Sequence, residues 1–93
     1  MNFEQVKNAV IAVVSEIQTN SGRSTVGLNE NTCPLTDMPG FDSINAVESS
    51  MLLSQHLGYE VNPDIALFAH GGRARSISQI TKELMKIIPV EPK

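Results

Sequence analysis

Ser43 is the residue of this chain with the clearest chemical potential. It stands in Pro39-Gly40-Phe41-Asp42-Ser43-Ile44, where a segment broken by proline and glycine gives way to apolar residues at helical spacing. Aspartate and serine are both favoured at such a boundary, because a side-chain oxygen there accepts a hydrogen bond from a free N–H group of the first turn. Asp42 can fill that role, which leaves Ser43 in the first turn with its hydroxyl available. A phosphate on that hydroxyl would meet unpaired N–H donors and the positive end of the helix dipole, worth about 0.3–1 kcal/mol near a surface. Two readings of Ser43 follow: a helix cap, or a point of attachment for a phosphodiester.

Other reactive side chains offer less. Cys33 is the single cysteine, so an intramolecular disulfide is excluded and a cysteine-based metal site is disfavoured. With Pro34 beside it and no adjacent histidine or lysine, nothing marks its thiol as activated, and a buried or incidental thiol is expected. His56 and His70 share no metal-ligand spacing with each other or with Cys33. Arg73 and Arg75 in His-Gly-Gly-Arg-Ala-Arg read as solvated arginines of an exposed turn, the other option being contact with a phosphate or an acidic partner. Neither a Ser–His–Asp pattern nor a phosphate loop nor paired acids is present, so the chain is not expected to be an enzyme.

The elements that would position Ser43 follow from periodicity. Phe3, Val6, Val10, Val13 and Ile17 mark one face of a first helix, with Asn2 and Gln5 as a capping box and Asn20 to Gly22 as its stop. From Ser21 to Asp42 the periodicity fails, and Gly22, Gly27, Pro34, Pro39 and Gly40 punctuate a long loop. Val26, Leu28, Leu35 and Met38 are expected to pin it to the core. A second helix is predicted from Asp42 or Ser43 to Leu57, ended by Gly58, with Ile44, Val47, Met51 and Leu52 on its inner face. Asn62-Pro63 opens a short third helix reaching about Phe68. Ser76 and Gln79 form another capping box before a fourth helix, whose inner face carries Ile77, Ile80, Leu84 and Ile87 and which Pro89 stops. Strand alternation is nowhere sustained. The fold class expected is all-α: a four-helix bundle in one domain, 1–93.

Composition agrees with that architecture. Of 93 residues, 41% are hydrophobic and 18% charged, with one tyrosine, three phenylalanines and no tryptophan. The core must therefore rest on aliphatic and methionine packing. The apolar run from Ala9 to Val14 is too short to cross a membrane, and no leader segment is visible, so a cytoplasmic protein without membrane insertion is expected. Net charge is −3, with the acids biased to residues 1–62 and the bases to 63–93. Such a distribution argues against a nucleic-acid partner, whose binding needs clustered cations.

Gly40-Phe41-Asp42-Ser43-Ile44, followed by Ala46-Val47-Glu48 and Met51-Leu52-Leu53, resembles the signature of acyl carrier proteins, where a G-x-D-S-[LI] segment opens the second helix. The order of predicted elements matches that family over nearly the whole chain, including the long first loop and the short third helix. The resemblance implies a 4′-phosphopantetheine arm on Ser43, bearing an acyl group as a thioester, with Asp42 orienting the serine and the metal-bound coenzyme A during attachment. It implies that Ile44 packs beside the arm and that Val47, Glu48 and Met51 form a partner-facing or core-facing surface. A phosphopantetheinyl transferase and the acyl-loading and acyl-transfer enzymes are the implied partners of a monomeric carrier, with apolar space between the helices sheltering part of the cargo.

The chain departs from the family in the second helix, which is usually strongly acidic. Asn45 stands where an acid is common, Ser54, Gln55 and His56 replace a frequent acidic cluster, and only Glu48 is charged between Ser43 and Leu57. Ser49 and Ser50 replace positions that are typically apolar. A carrier for a specialised fatty-acid, polyketide or lipid pathway is the leading expectation. An aminoacyl or peptidyl carrier, and a degenerate carrier fold serving as a scaffold, are the alternatives.

Overall fold

The capping residues set where the helices begin. In the computed structural model, which describes residues 2–61 and 65–88, the Asn2 side chain accepts a hydrogen bond from the Gln5 N–H at 2.9 Å, and the Gln5 side chain accepts one from the Asn2 N–H at 3.0 Å. This reciprocal pair opens helix α1, Phe3–Asn20, by satisfying two of the N–H groups that a helix start leaves unpaired. Val6, Val10, Val13, Val14 and Ile17 are its buried apolar face. Helix α2, Pro34–Asp37, is a single turn within the long loop, and helix α3 spans Ser43–Leu57. Gly58 ends α3 in the left-handed region at φ 73°, where glycine escapes the Cβ penalty.

A 3-10 turn, Ile65–Leu67, follows, where the sequence predicted a third helix; the expected opening at Asn62-Pro63 lies outside the described residues. Strands β1, Ala69–His70, and β2, Arg73–Ala74, then pair antiparallel. Gly71 and Gly72 both hold positive φ in the connection, the backbone that a two-residue hairpin turn requires. The all-α expectation is corrected at this point: two-residue strands are too short to show alternation in a sequence. Helix α4, Ile77–Ile87, opens with the Ser76–Gln79 capping box and ends at Ile88. Pro89, the expected stop, lies outside the described residues.

The result is a small, mostly helical domain with a Cα radius of gyration of 12.3 Å. Helix α1 packs against both α3 and α4, so its valine face is the common wall of the core. Leu53, Ile77, Ile80, Leu84 and Phe68 fill the other side, all fully buried. Phe68 also meets Phe41, with ring centroids 5.8 Å apart, which ties the segment before α3 to the segment after the 3-10 turn.

The long loop is anchored by backbone as well as by side chains. Ile77 and Ser78, at the start of α4, donate their N–H groups to the carbonyls of Thr32 (2.9 Å) and Glu30 (2.8 Å). The loop thus completes the α4 N-terminus that Ser76 caps only in part. Met38 is buried, and Leu28 and Leu35 pack against the core as expected. Val26 does not: it is 95% exposed, because it lies in the turn whose Leu28 N–H returns to the Thr25 carbonyl.

The inner face of α3 is also corrected. Its buried residues are Asn45, Ala46, Ser49, Ser50, Leu53 and Leu57, one position around the helix from the predicted Ile44–Val47–Met51 stripe. Ser49 and Ser50 donate their hydroxyls to the carbonyls of Asn45 (2.8 Å) and Ala46 (3.1 Å) one turn back, a bond that occupies a buried hydroxyl within its own helix. Small side chains on the first half of this face, Ala46, Ser49 and Ser50, let α3 approach the valines of α1, Leu53 and Leu57 complete the face, and Ile44 and Met51 are turned outward.

Candidate functional site

The start of α3 is built by Asp42 and Asn45. The Asp42 carboxylate accepts the Asn45 N–H at 3.0 Å, and the Asn45 side-chain oxygen accepts the Asp42 N–H at 3.3 Å. This second reciprocal pair does the capping, so Ser43 is the first residue inside the helix. Ser43 is exposed. Among the described residues its hydroxyl has no hydrogen-bond partner. The first backbone bond of the helix runs from the Ala46 N–H to the Asp42 carbonyl at 3.0 Å, leaving the N–H groups of Ser43 and Ile44 as unpaired first-turn donors.

The approach to Ser43 is held by the side chains of Gln18, Arg23 and Asn45, which join the end of α1 and the loop to the start of α3. Gln18, fully buried at the end of α1, donates from Nε2 to the carbonyls of Ser24 (3.1 Å) and Pro39 (3.0 Å). Its Oε1 is buried without a hydrogen-bond partner among the described residues. Gly40 takes φ 72°, and a methyl group there would lie 2.5 Å from Nη1 and 2.6 Å from Cδ of Arg23. The arginine therefore rests directly on the glycine backbone. From that position its Nη2 donates to Asn45 Oδ1 at 3.1 Å, and Asn45 Nδ2 donates to Glu48 at 3.2 Å.

Ile44, Val47, Glu48 and Met51 share the opposite, outward face of α3, at the three- and four-residue spacing of neighbours on a helix. Ile44 is 68% and Met51 55% exposed, Val47 is half-buried and Glu48 exposed. These residues are not core-facing: they are turned away from the buried face of α3. The six sequence-derived site residues thus belong to one element, with Asp42 as the cap of α3, Ser43 and Ile44 in its first turn, and Val47, Glu48 and Met51 along its outer side.

Gln18, Arg23 and Asn45 were not singled out as site residues by the sequence. Asn45 had a readable signal, since it stands three residues after Asp42 in a capping-box pattern. Arg23 had a weaker one, being one of two bases in residues 1–42. The reading of Arg75 as solvated is corrected: it pairs with Glu83 at 3.1 Å, and Lys86 reaches the same carboxylate at 2.6 Å. Those two donors, Lys86 above all, hold the Glu83 carboxyl below the usual glutamate range. Arg73 is exposed, as expected.

A cleft of about 330 Å³ is lined by Val61, Ala66, Leu67, His70, Arg75, Glu83 and Ile87, and a pocket of about 70 Å³ lies beneath the loop at Ser24–Leu28 and Met38–Pro39. Neither is lined by a residue of α3. Among the described residues no group of three or more His, Cys, Asp or Glu is placed to hold a metal ion, and no helix is long and apolar enough to cross a membrane. Comparisons with family models, curated proteins and solved structures gave no match.

Proposed function

We propose that this chain is a stand-alone acyl carrier of the four-helix-bundle type, working as a cytoplasmic monomer and bearing 4′-phosphopantetheine on Ser43. The observation that carries this reading is the Ser43 hydroxyl, exposed and without a partner among the described residues, in the first turn of a helix that Asp42 and Asn45 already cap. Were Ser43 only a cap, its oxygen would be engaged with an N–H of the first turn. The residues present fit the group: the hydroxyl is accessible for attachment, and the Ser43 and Ile44 N–H groups stand at the positive helix end, where a phosphodiester is favoured. When attached, the arm supplies a thiol that holds an acyl group as a thioester.

The chain's own residues serve that arm by position. Asp42 fixes the start of the helix and leaves the serine free. Ile44, Val47 and Met51 give an apolar surface beside the attachment point for the phosphopantetheinyl transferase and for acyl-loading and acyl-transfer enzymes. Glu48 is the single fixed charge on that surface, which favours partners of a specialised fatty-acid, polyketide or lipid pathway over those that dock an acidic helix through basic patches.

Intact-mass spectrometry before and after incubation with coenzyme A and a broad-specificity phosphopantetheinyl transferase tests the proposal. One added phosphopantetheine, mapped to Ser43 and absent in Ser43→Ala, is the expected outcome. An unchanged mass on a folded wild-type protein overturns it and favours the scaffold alternative, in which Ser43→Ala keeps full biological activity.

A further inference from the structure

We infer that Arg23 is a positioning residue that holds the phosphodiester of the arm on Ser43, an inference that rests on the carrier reading. Three observations converge on this side chain. First, Arg23 is the half-buried cation that forms no ion pair among the described residues: Lys7 is paired with Glu4 and Arg75 with Glu83. A guanidinium carries five N–H donors in a rigid fork, and one of Arg23's is engaged, by Asn45 Oδ1.

Second, its placement is built rather than adventitious. Gly40 leaves the gap that the Arg23 side chain occupies, with Nη1 and Cδ at 2.5 and 2.6 Å from where a methyl group would stand. Gln18 clamps both flanks of this arrangement, through the Ser24 carbonyl next to Arg23 and the Pro39 carbonyl next to Gly40. Third, the guanidinium is carried to the start of α3. The Asn45 oxygen that receives Nη2 is the same atom that accepts the Asp42 N–H, so the cation stands two hydrogen bonds from the backbone immediately before Ser43.

A phosphodiester is the ligand chemistry this arrangement lacks. It carries one permanent negative charge and two free oxygens, which a guanidinium fork binds in parallel. The neutral Asn45 also has a reason here. An acid at this position would take the guanidinium for itself as an ion pair, whereas the amide orients the arginine and leaves its charge available. Arg23 would therefore restrict the root of the arm and leave its distal thiol free to move.

The test uses the whole protein, converted to the phosphopantetheinylated form and checked by intact mass. The phosphorus NMR resonance of the wild-type protein is expected to be displaced from its position in the urea-unfolded protein. In Arg23→Met that displacement is expected to be lost, and in Arg23→Lys, which keeps the charge without the fork, it is expected to be partly kept. Because Arg23 also braces the loop against Gly40, the Arg23 Nε–H resonance is followed as well in wild-type protein before and after attachment, where a shift is expected. Identical phosphorus resonances in folded wild-type and Arg23→Met proteins, or an unmoved Nε–H signal in the wild type, overturn the inference and leave Arg23 as a strut of the loop. A wild-type protein that takes no arm overturns the carrier reading itself, and the mass reports that before any arginine variant is made.

Discussion

At the scale of single residues, the start of α3 depends on two positions that do unlike work. Gly40 combines a positive φ with a direct contact from Arg23, so Gly40→Ala meets two penalties: a left-handed backbone that alanine resists, and displacement of the arginine from Asn45. Strained φ/ψ states cost about 1–3 kcal/mol each, and a loss of stability in that range is expected from urea unfolding. Part of that loss should disappear when the same change is made in Arg23→Met, where no guanidinium is displaced; purely additive losses would argue against the contact as its cause. Asp42→Ala removes the oxygen that accepts the Asn45 N–H and is expected to cost about 0.5–2 kcal/mol, the usual value of an N-cap. In that variant the Ser43 hydroxyl becomes the nearest substitute cap. Attachment to Ser43 should then slow even where the fold survives, measurable as the initial rate of mass addition.

At the scale of elements, the buried serines of α3 explain how a helix with Ile44 and Met51 outside still packs closely. Ser49 is fully buried and bonded within its own helix, so Ser49→Ala leaves no outside group unpaired and should change stability by less than about 1 kcal/mol, a hydrogen bond's usual net worth. Ser49→Leu, which restores an apolar residue of common size, should destabilise by about 1–3 kcal/mol through overpacking against α1. Thermal unfolding of both variants separates a close-packed face from a loose one. The lowered Glu83 pKa gives a second check, in α4. Its pairing with Lys86 and Arg75 contributes stability that is present above the ordinary glutamate pKa and is lost as pH falls through the depressed folded value. The unfolding midpoint of wild type should therefore fall more on acidification than that of Glu83→Gln, and added salt should narrow the difference. These elements also mark what the sequence made legible. The bounds of α1, α3 and α4 were readable because each begins with a side chain of capping chemistry three residues before its partner. The facing of α3 was not, since reading the largest apolar side chains as the inner stripe fails where a close helix contact selects alanine and serine. The single turn at Pro34–Asp37 and the two-residue strands were too short for any period to register. In the site, Asp42 and Ser43 were legible from local cap chemistry, whereas the Arg23–Asn45 bond joins residues 22 apart that only the folded loop brings together.

At the scale of the whole molecule, the distribution of charge and apolar surface decides how a carrier would meet its enzymes. The chain is only mildly acidic, at −3, and the outward face of α3 offers Ile44, Val47 and Met51 around the lone acid Glu48. Opposite charges across an interface raise the association rate and make it salt-dependent, whereas buried apolar anchors govern how long the complex lasts. Partner binding through this face should accordingly depend weakly on ionic strength. Measured with the cognate loading enzyme, Kd is expected to change by less than about threefold between low and physiological salt, where exposed charges are screened over about 8 Å. Glu48→Gln should have a similarly small effect. Ile44→Ala and Met51→Ala should each weaken binding by about tenfold or more, because burying such a side chain is worth about 1.5–3 kcal/mol and every 1.4 kcal/mol is a factor of ten. Ser49→Ala, which alters the opposite, buried face, is the control that should leave Kd unchanged. A steep salt dependence, with Glu48→Gln costing more than Met51→Ala, would place recognition in charge pairs instead. The Glu48 carboxylate, already hydrogen-bonded by Asn45 Nδ2, would then be the partner's main contact rather than a bystander at the edge of an apolar one.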